Sequence, residues 1–330
     1  MQIKLAKSSD IYAIKTFIKD NWKQNHIFVQ NDSFFNYEMC AFGEPNFVIA
    51  LVENKIIGIL GFTCNRERIQ DSDLFLVMFR VVKSQKTVIT GVKLIKFLMN
   101  LTSAEVHTVG ANKKILTYYK FLGFQIGNLN HYYWLNNNPT IQKFFCKKSY
   151  SQPINLKSIN KVINDGKLEE ISKDVLWSVN FDLHAGKGHK LIKSKNFFLR
   201  RYAKHPIYSY SFYKSDTFNG LGVVRKVDVE GFLGWKIIDW YGELKYFDKF
   251  CKLLVVSAYE NNVAFVDLYV KGVDEEKLIF AGFQKISDSV IIPNYLEPLV
   301  LKNIQISFVT TSKENIFLIR GDGDQDRPSR

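Results

Sequence analysis

Val106-His107-Thr108-Val109-Gly110-Ala111-Asn112-Lys113-Lys114-Ile115-Leu116-Thr117-Tyr118-Tyr119-Lys120-Phe121-Leu122-Gly123-Phe124 is the stretch on which the reading of this chain turns. Val106 to Val109 reads as a short strand. Lys113 to Leu122 has helical spacing, and Gly123 follows where a helix needs a left-handed stop. A shorter version returns at Phe280-Ala281-Gly282-Phe283. It closes a helical stretch, Asp274 to Ala281, after a strand, Ala264 to Leu268. The chain therefore reads as two copies of one α/β unit, the second more degenerate.

Working outward, Gln2 to Ala6 alternates like a strand, and Ile11, Ile14, Phe17 and Ile18 mark a helix behind Ser8, Ser9 and Asp10. A short helix is expected between Trp22 and Ala41. Asn46 to Glu53 and Ile56 to Thr63 flank the turn Asn54-Lys55 as a hairpin. Leu74 to Val82 reads as a buried central strand, Gly91 to Leu101 as an amphipathic helix, and His131 to Leu135 as the last strand of the first unit. Domain limits of 1–145 and 166–330 follow, with 146–165 as connector. In the second unit, Phe197 to Tyr202 reads as helix, and Tyr208 to Tyr213, Gly220 to Val227 and Trp235 to Trp240 as strands. Leu244 to Asn261 is helical, Ile316 to Ile319 a strand, and Arg320 to Arg330 a polar tail.

The 330 residues are 46% hydrophobic, which suits a folded chain of about two domains. No apolar run is long enough to cross a membrane, and the first residues lack a leader's apolar core, so a cytoplasmic protein is expected. Four scattered cysteines fit neither a zinc site nor a disulfide framework. The formal charge of +13 implies anionic partners. No basic run of five or six residues is present, so nucleic acid is not expected among them.

The passage from Val109 to Phe124 resembles the GCN5-related N-acetyltransferase (GNAT) superfamily, in which a strand ends near Asn and a Tyr precedes Gly-Phe by four residues. The resemblance implies two tandem units, each a mixed, mostly antiparallel sheet flanked by helices, and acyl-CoA as co-substrate with no metal. It implies that Asn112 lies beside the acyl-CoA arm, that Tyr119 protonates the departing thiolate, and that Phe79 and Val81 on the central strand meet pantetheine. The superfamily's diphosphate loop corresponds to Lys86-Thr87-Val88-Ile89-Thr90-Gly91. Only Lys86 and Gly91 match it, and Ile89 stands where the middle Gly is usual. His26, in the helical region that contacts the acceptor in this superfamily, is the candidate base.

Over most of its length the chain resembles the tandem-unit sugar N-acyltransferases of surface-polysaccharide clusters, whose tails are acidic and Gly-rich. That resemblance implies transfer of an acetyl or hydroxybutyryl group to the amine of a nucleotide-linked, dTDP-type amino sugar, as for O-antigen or lipopolysaccharide. Candidate acceptor ligands are Arg200, Arg201, Tyr202, His205, Tyr208, Asp239 and Asp267, with Asp324, Gln325 and Arg327 of the tail. Arginine forks suit phosphate and aromatic rings suit a base. A homodimer is compatible with this reading. Two alternatives stand beside it: a non-catalytic tandem binding module, for which Ile89 argues, and an aminoacyl-tRNA-dependent transferase.

Overall fold

The computed structural model describes residues 1–41, 43–83, 87–147, 166–180, 191, 193–294, 299–323 and 326–328. The chain divides into two units. The first comprises 1–127 with 307–313 and 327–330; the second comprises 128–306 with 314–326.

In the first unit, β1 (Gln2–Leu5) precedes helices α1 (Ile11–Asn21), α2 (Ile27–Gln30) and α3 (Asp32–Met39). Strands β2 (Phe47–Val52), β3 (Lys55–Cys64) and β4 (Leu74–Val81) follow as an antiparallel meander. The hairpin turn places Glu53 and Asn54 at positive φ, the geometry of a tight primed turn. Then come α4 (Thr87–Met99), β5 (Val106–Val109), α5 (Leu116–Phe121) and β6 (Gln125–Asn128). Alternation along the strands divides the core. Phe47, Ile49 and Ile59 pack with α1 to α3, whereas Val48, Ala50 and Leu60 pack with α4 and α5.

The next strand, β7 (Asn130–Leu135), does not close this sheet. It pairs with β12 (Phe265–Lys271) of the second unit. The place in the first sheet is taken by β14 (Ser307–Thr310), which lies between β5 and β6 and gives the order β1-β2-β3-β4-β5-β14-β6. Each unit thus receives its inserted strand from the other half of the sequence. The strand expected to end the first unit serves the second, and α6 (Pro139–Phe145) begins within what was read as polar sequence before the connector. Residues 148–165, most of that connector, lie outside the described residues.

The second unit repeats the plan. β8 (Glu169–Ile171) and α7 (Lys173–Leu176) precede α8 (Lys195–Phe198), which runs on as a π-helical turn, Leu199–Ala203. β9 (Ser211–Ser215), β10 (Phe218–Val229) and β11 (Phe232–Gly242) form the meander, α9 (Phe247–Glu260) crosses over to β12, and α10 (Glu275–Phe280) leads to β13 (Gln284–Lys285). The sheet order is β13-β7-β12-β11-β10-β9-β8, and β15 (Leu318–Ile319) adds to β12.

Candidate functional site

The first unit opens at its central strand. β4 and β5 run parallel but pair only at Leu74 with Val106 and Phe75 with His107. Beyond that point the Thr108 hydroxyl of β5 still donates to the Leu76 carbonyl, and β4 continues to Val81 with its ladder pairing to β3 alone. A bulge helps: between the pairs Gly61–Met78 and Phe62–Leu76 the extra residue Val77 bends β4 away. The gap is a cleft of about 240 Å³ lined by Phe79, Arg80, Val81 and Lys83 from β4 and its end, by Val88, Gly91, Val92 and Ile95 of α4, and by Ile115 and Tyr118 near α5. The α4 residues 88, 91, 92 and 95 share one helical face. Gly91 sits close to the ring there: a Cβ would stand 3.0 Å from Phe79, whose side chain would have to shift by a few tenths of an ångström.

Of the residues expected to hold the acyl donor, Phe79, Val81, Val88 and Gly91 line this cleft. Ile89 points to solvent at 56% exposure, and Thr90 is buried on the opposite side, beside the Met1 sulfur. Asn112 caps the turn before α5, its side chain accepting the Lys114 N–H, and is not among the lining residues. Lys86 lies outside the described residues, as does the Thr87 side chain. Arg80 and Val92, which the motif reading passed over, also line the cleft, as does Lys83.

Tyr118 and Tyr119 divide two tasks. Tyr118 lines the cleft and is 39% exposed. Tyr119 is 2% exposed within the cluster that holds Leu60, Leu76 and Leu94, edge-on to Phe124. Its hydroxyl has no hydrogen-bond partner among the described residues, and burial pushes its pKa well above the ordinary phenol value. Burial holds this phenol neutral.

His26 does not fit the role of base. Its Nδ1 accepts the Phe28 N–H as the cap of α2, the ring lies against Trp22 and Phe28, and burial lowers its pKa to about 4. An imidazole so weakly basic takes few protons from an ammonium near neutral pH.

In the second unit the candidate acceptor ligands are gathered, but around the chain's own C-terminal segment. β11 carries the same bulge, Ile238, between the pairs Val223–Asp239 and Val224–Ile237. β11 and β12 pair from Gly234–Phe265 to Ile237–Leu268 and then part. Here β15 fills the parting: Ile319 and Leu318 pair with Val270 and Lys271. Gly321 follows so closely that a Cβ would lie 2.7 Å from the Ile238 carbonyl oxygen and 2.5 Å from the Tyr202 hydroxyl.

The charges finish the embedding. Arg320 Nη2 donates to Asp267 Oδ2 at 2.8 Å, while His131 Nε2 lies 2.9 Å from Oδ1 and the Lys236 ammonium pairs with the same carboxylate. These neighbours, Arg320 foremost, hold Asp267 ionised below the usual carboxylate range despite burial. Lys193 bridges Asp239 at 2.6 Å and Asp322 at 2.7 Å, and Tyr202 donates to Asp239 at 2.5 Å. The Asp326 carboxylate receives Arg201, Arg225 and Tyr210. His205 accepts the Tyr208 N–H and stacks on its ring, burial lowering its pKa to about 3. Arg201, Tyr202, Asp239 and Asp267 are thus engaged by neighbouring side chains, although Arg201 Nε and His205 Nε2 find no hydrogen-bond partner among the described residues, and Arg225 covers the Tyr208 ring at 3.3 Å. Arg200 is half-buried beside them. The tail is not a loose end: Arg320 and Asp326 are fully buried, and Arg327 pairs with Glu38 of α3 in the first unit. Asp324 and Gln325 lie outside the described residues. A separate cavity of about 670 Å³ in this unit lies against Tyr213 and Trp235, with the Lys226–Glu170 ion pair at its wall.

A bulged central strand, a parallel neighbour that parts from it, and a helix starting beside the gap are together diagnostic. The fold is that of the GCN5-related N-acetyltransferases. A GCN5-related N-acetyltransferase from Anabaena variabilis matches with a TM-score of 0.54 at 10% identity, over 94% of this chain and 72% of its own. One from Kribbella flavida matches at 0.53 and 9%, over 94% and 71%. A probable N-acyltransferase from Enterococcus faecalis matches at 0.51 and 10%, over 94% and 72%. No protein-family model matches the sequence, and no curated protein is similar to it. Among the described residues, no cluster of His, Cys, Asp or Glu could hold a metal ion, and no helix is long and apolar enough to cross a membrane.

Proposed function

We propose that the chain is an acyl-CoA-dependent N-acyltransferase whose first unit carries the chemistry. The observation that carries this reading is the open β4–β5 cleft, with β4 on one side, Tyr118 and α4 on the other, and an unpartnered phenol, Tyr119, in the adjoining core. In this reading the pantetheine arm lies in the cleft against Phe79, Val81 and Gly91, while Arg80 and Lys83 meet its phosphates. A neutral amine attacks the thioester carbonyl. The N–C bond forms, the C–S bond breaks, the thiolate takes the Tyr119 proton, the new amide nitrogen releases its extra proton to solvent, and Tyr119 regains a proton from solvent before the next turnover. No protein nucleophile is required.

The acceptor we propose is the amine of a nucleotide-linked amino sugar, on the resemblance of the whole sequence to tandem sugar N-acyltransferases and on the basic charge, which suits two anionic substrates. The second unit is assigned a non-catalytic role, supported by the β15 segment lying where the first unit has its cleft. The test is release of free thiol from acetyl- and hydroxybutyryl-CoA with a panel of dTDP- and UDP-linked amino sugars. Thiol release that requires both substrates supports the reading, and none with any pair contradicts it.

A further inference from the structure

We propose that the first unit's cleft receives its acyl group from an acidic carrier protein, whose phosphopantetheine arm enters between β4 and β5. This rests on the acyl-transfer reading above and names the donor's carrier. Two features of the cleft mouth point to a protein. Two lining residues are apolar and open to water, Val88 at 49% exposure and Tyr118 at 39%, and the same helices expose Ile89 at 56% and Phe121 at 80%. Val88 and Ile89 occupy the first turn of α4, and their branched apolar side chains add no hydrogen bond for a diphosphate beyond the peptide N–H groups. Exposed apolar residues set close together on a soluble unit mark a surface that a partner covers.

The second feature is charge. Between Asp73 and Asp165 the sequence has a single acid, Glu105, yet this stretch builds β4, α4, β5 and α5. Lys93 and Lys96 stand exposed on α4, as does Ile89, and Lys114 is exposed in the turn that precedes α5. None of these three lysines pairs with a carboxylate among the described residues. Glu105 is engaged by the Thr311 hydroxyl. Unpaired cations around an apolar patch complement an acidic helix with apolar anchors, the surface a carrier protein presents beside its phosphopantetheine serine. A nucleic acid would use the lysines and leave the four apolar side chains uncovered. The reaction balances as before: amine nitrogen bonds to the acyl carbon, the C–S bond to the carrier's arm breaks, and the carrier leaves as its free thiol.

The experiment is calorimetric titration of the full chain with a fatty-acid-type acyl carrier protein in holo and apo forms, with CoA, and with a transfer RNA. Holo-carrier should bind at least about tenfold tighter than CoA, and more weakly as salt rises. The double substitution Lys96→Glu/Lys114→Glu should weaken holo-carrier binding at least about tenfold and CoA binding less than about twofold, with the thermal unfolding midpoint as a folding control. CoA binding equal to holo-carrier binding, indifference to the double substitution, or tighter binding of the RNA would overturn the proposal alone. Binding of neither CoA nor holo-carrier would overturn it together with the reading on which it rests.

Discussion

In the proposed reaction Tyr119 supplies the proton that the thiolate takes. Tyr119→Phe removes the hydroxyl and keeps the ring against Phe124, so folding should be unchanged while acyl transfer falls by roughly 10²–10⁴-fold, read as free-thiol release. Tyr118→Phe, at the exposed mouth, should change the KM for the donor more than kcat. Two histidines set a different dependence. The unfolded imidazoles take protons below about pH 6.5, whereas folded His26 does so only near about 4 and His205 near about 3. Between those values the unfolded state binds more protons, so stability must fall as pH falls. The urea midpoint should drop from pH 7 to pH 5, and His26→Asn/His205→Asn, which keeps a side-chain acceptor at each cap, should flatten that slope. The helix that carries Tyr119 was legible from its spacing to Gly123-Phe124. The roles of His26 and the Arg201 group were not, because a sequence shows which side chains can bind a ligand but not which ones the chain itself has taken.

At the scale of the element, repeated units were readable from recurring strand–helix–Gly-Phe patterns, and most strands of both meanders fall where alternation puts them. The exchange of β7 and β14 was not readable. Pairing partners are chosen across the sheet, and His131 to Leu135 carries the same apolar signal whichever sheet receives it. β14 was missed for a related reason: four residues give too short a pattern, and Ser307 and Thr310 are buried polar groups satisfied only by the fold. The polar tail misled most, since Gly, Asp and Arg look like a solvated end but here supply buried ion pairs. Removal of residues 321–330 should therefore unfold or strongly destabilise the second unit. Asp326→Ala, which strands Arg201 and Tyr210 in the interior, should cost about 3–5 kcal/mol by urea denaturation. A truncated chain as stable as the parent would show that these pairs hold nothing together.

Taken whole, the molecule uses one scaffold twice to opposite ends. The same bulge and the same parting of parallel strands leave a cleft in the first unit and a seat for the C-terminal segment in the second. At the strand parting the first unit has a cleft and the second a seated segment, and entry of the pantetheine arm into the first is the central claim. Calorimetric titration of the intact chain with CoA tests it most directly, beside the variant Gly91→Trp, whose indole would fill the space against Phe79. The account predicts one site per chain and loss of binding in the variant with its fold retained by circular dichroism; two sites, or unchanged binding in Gly91→Trp, would contradict it.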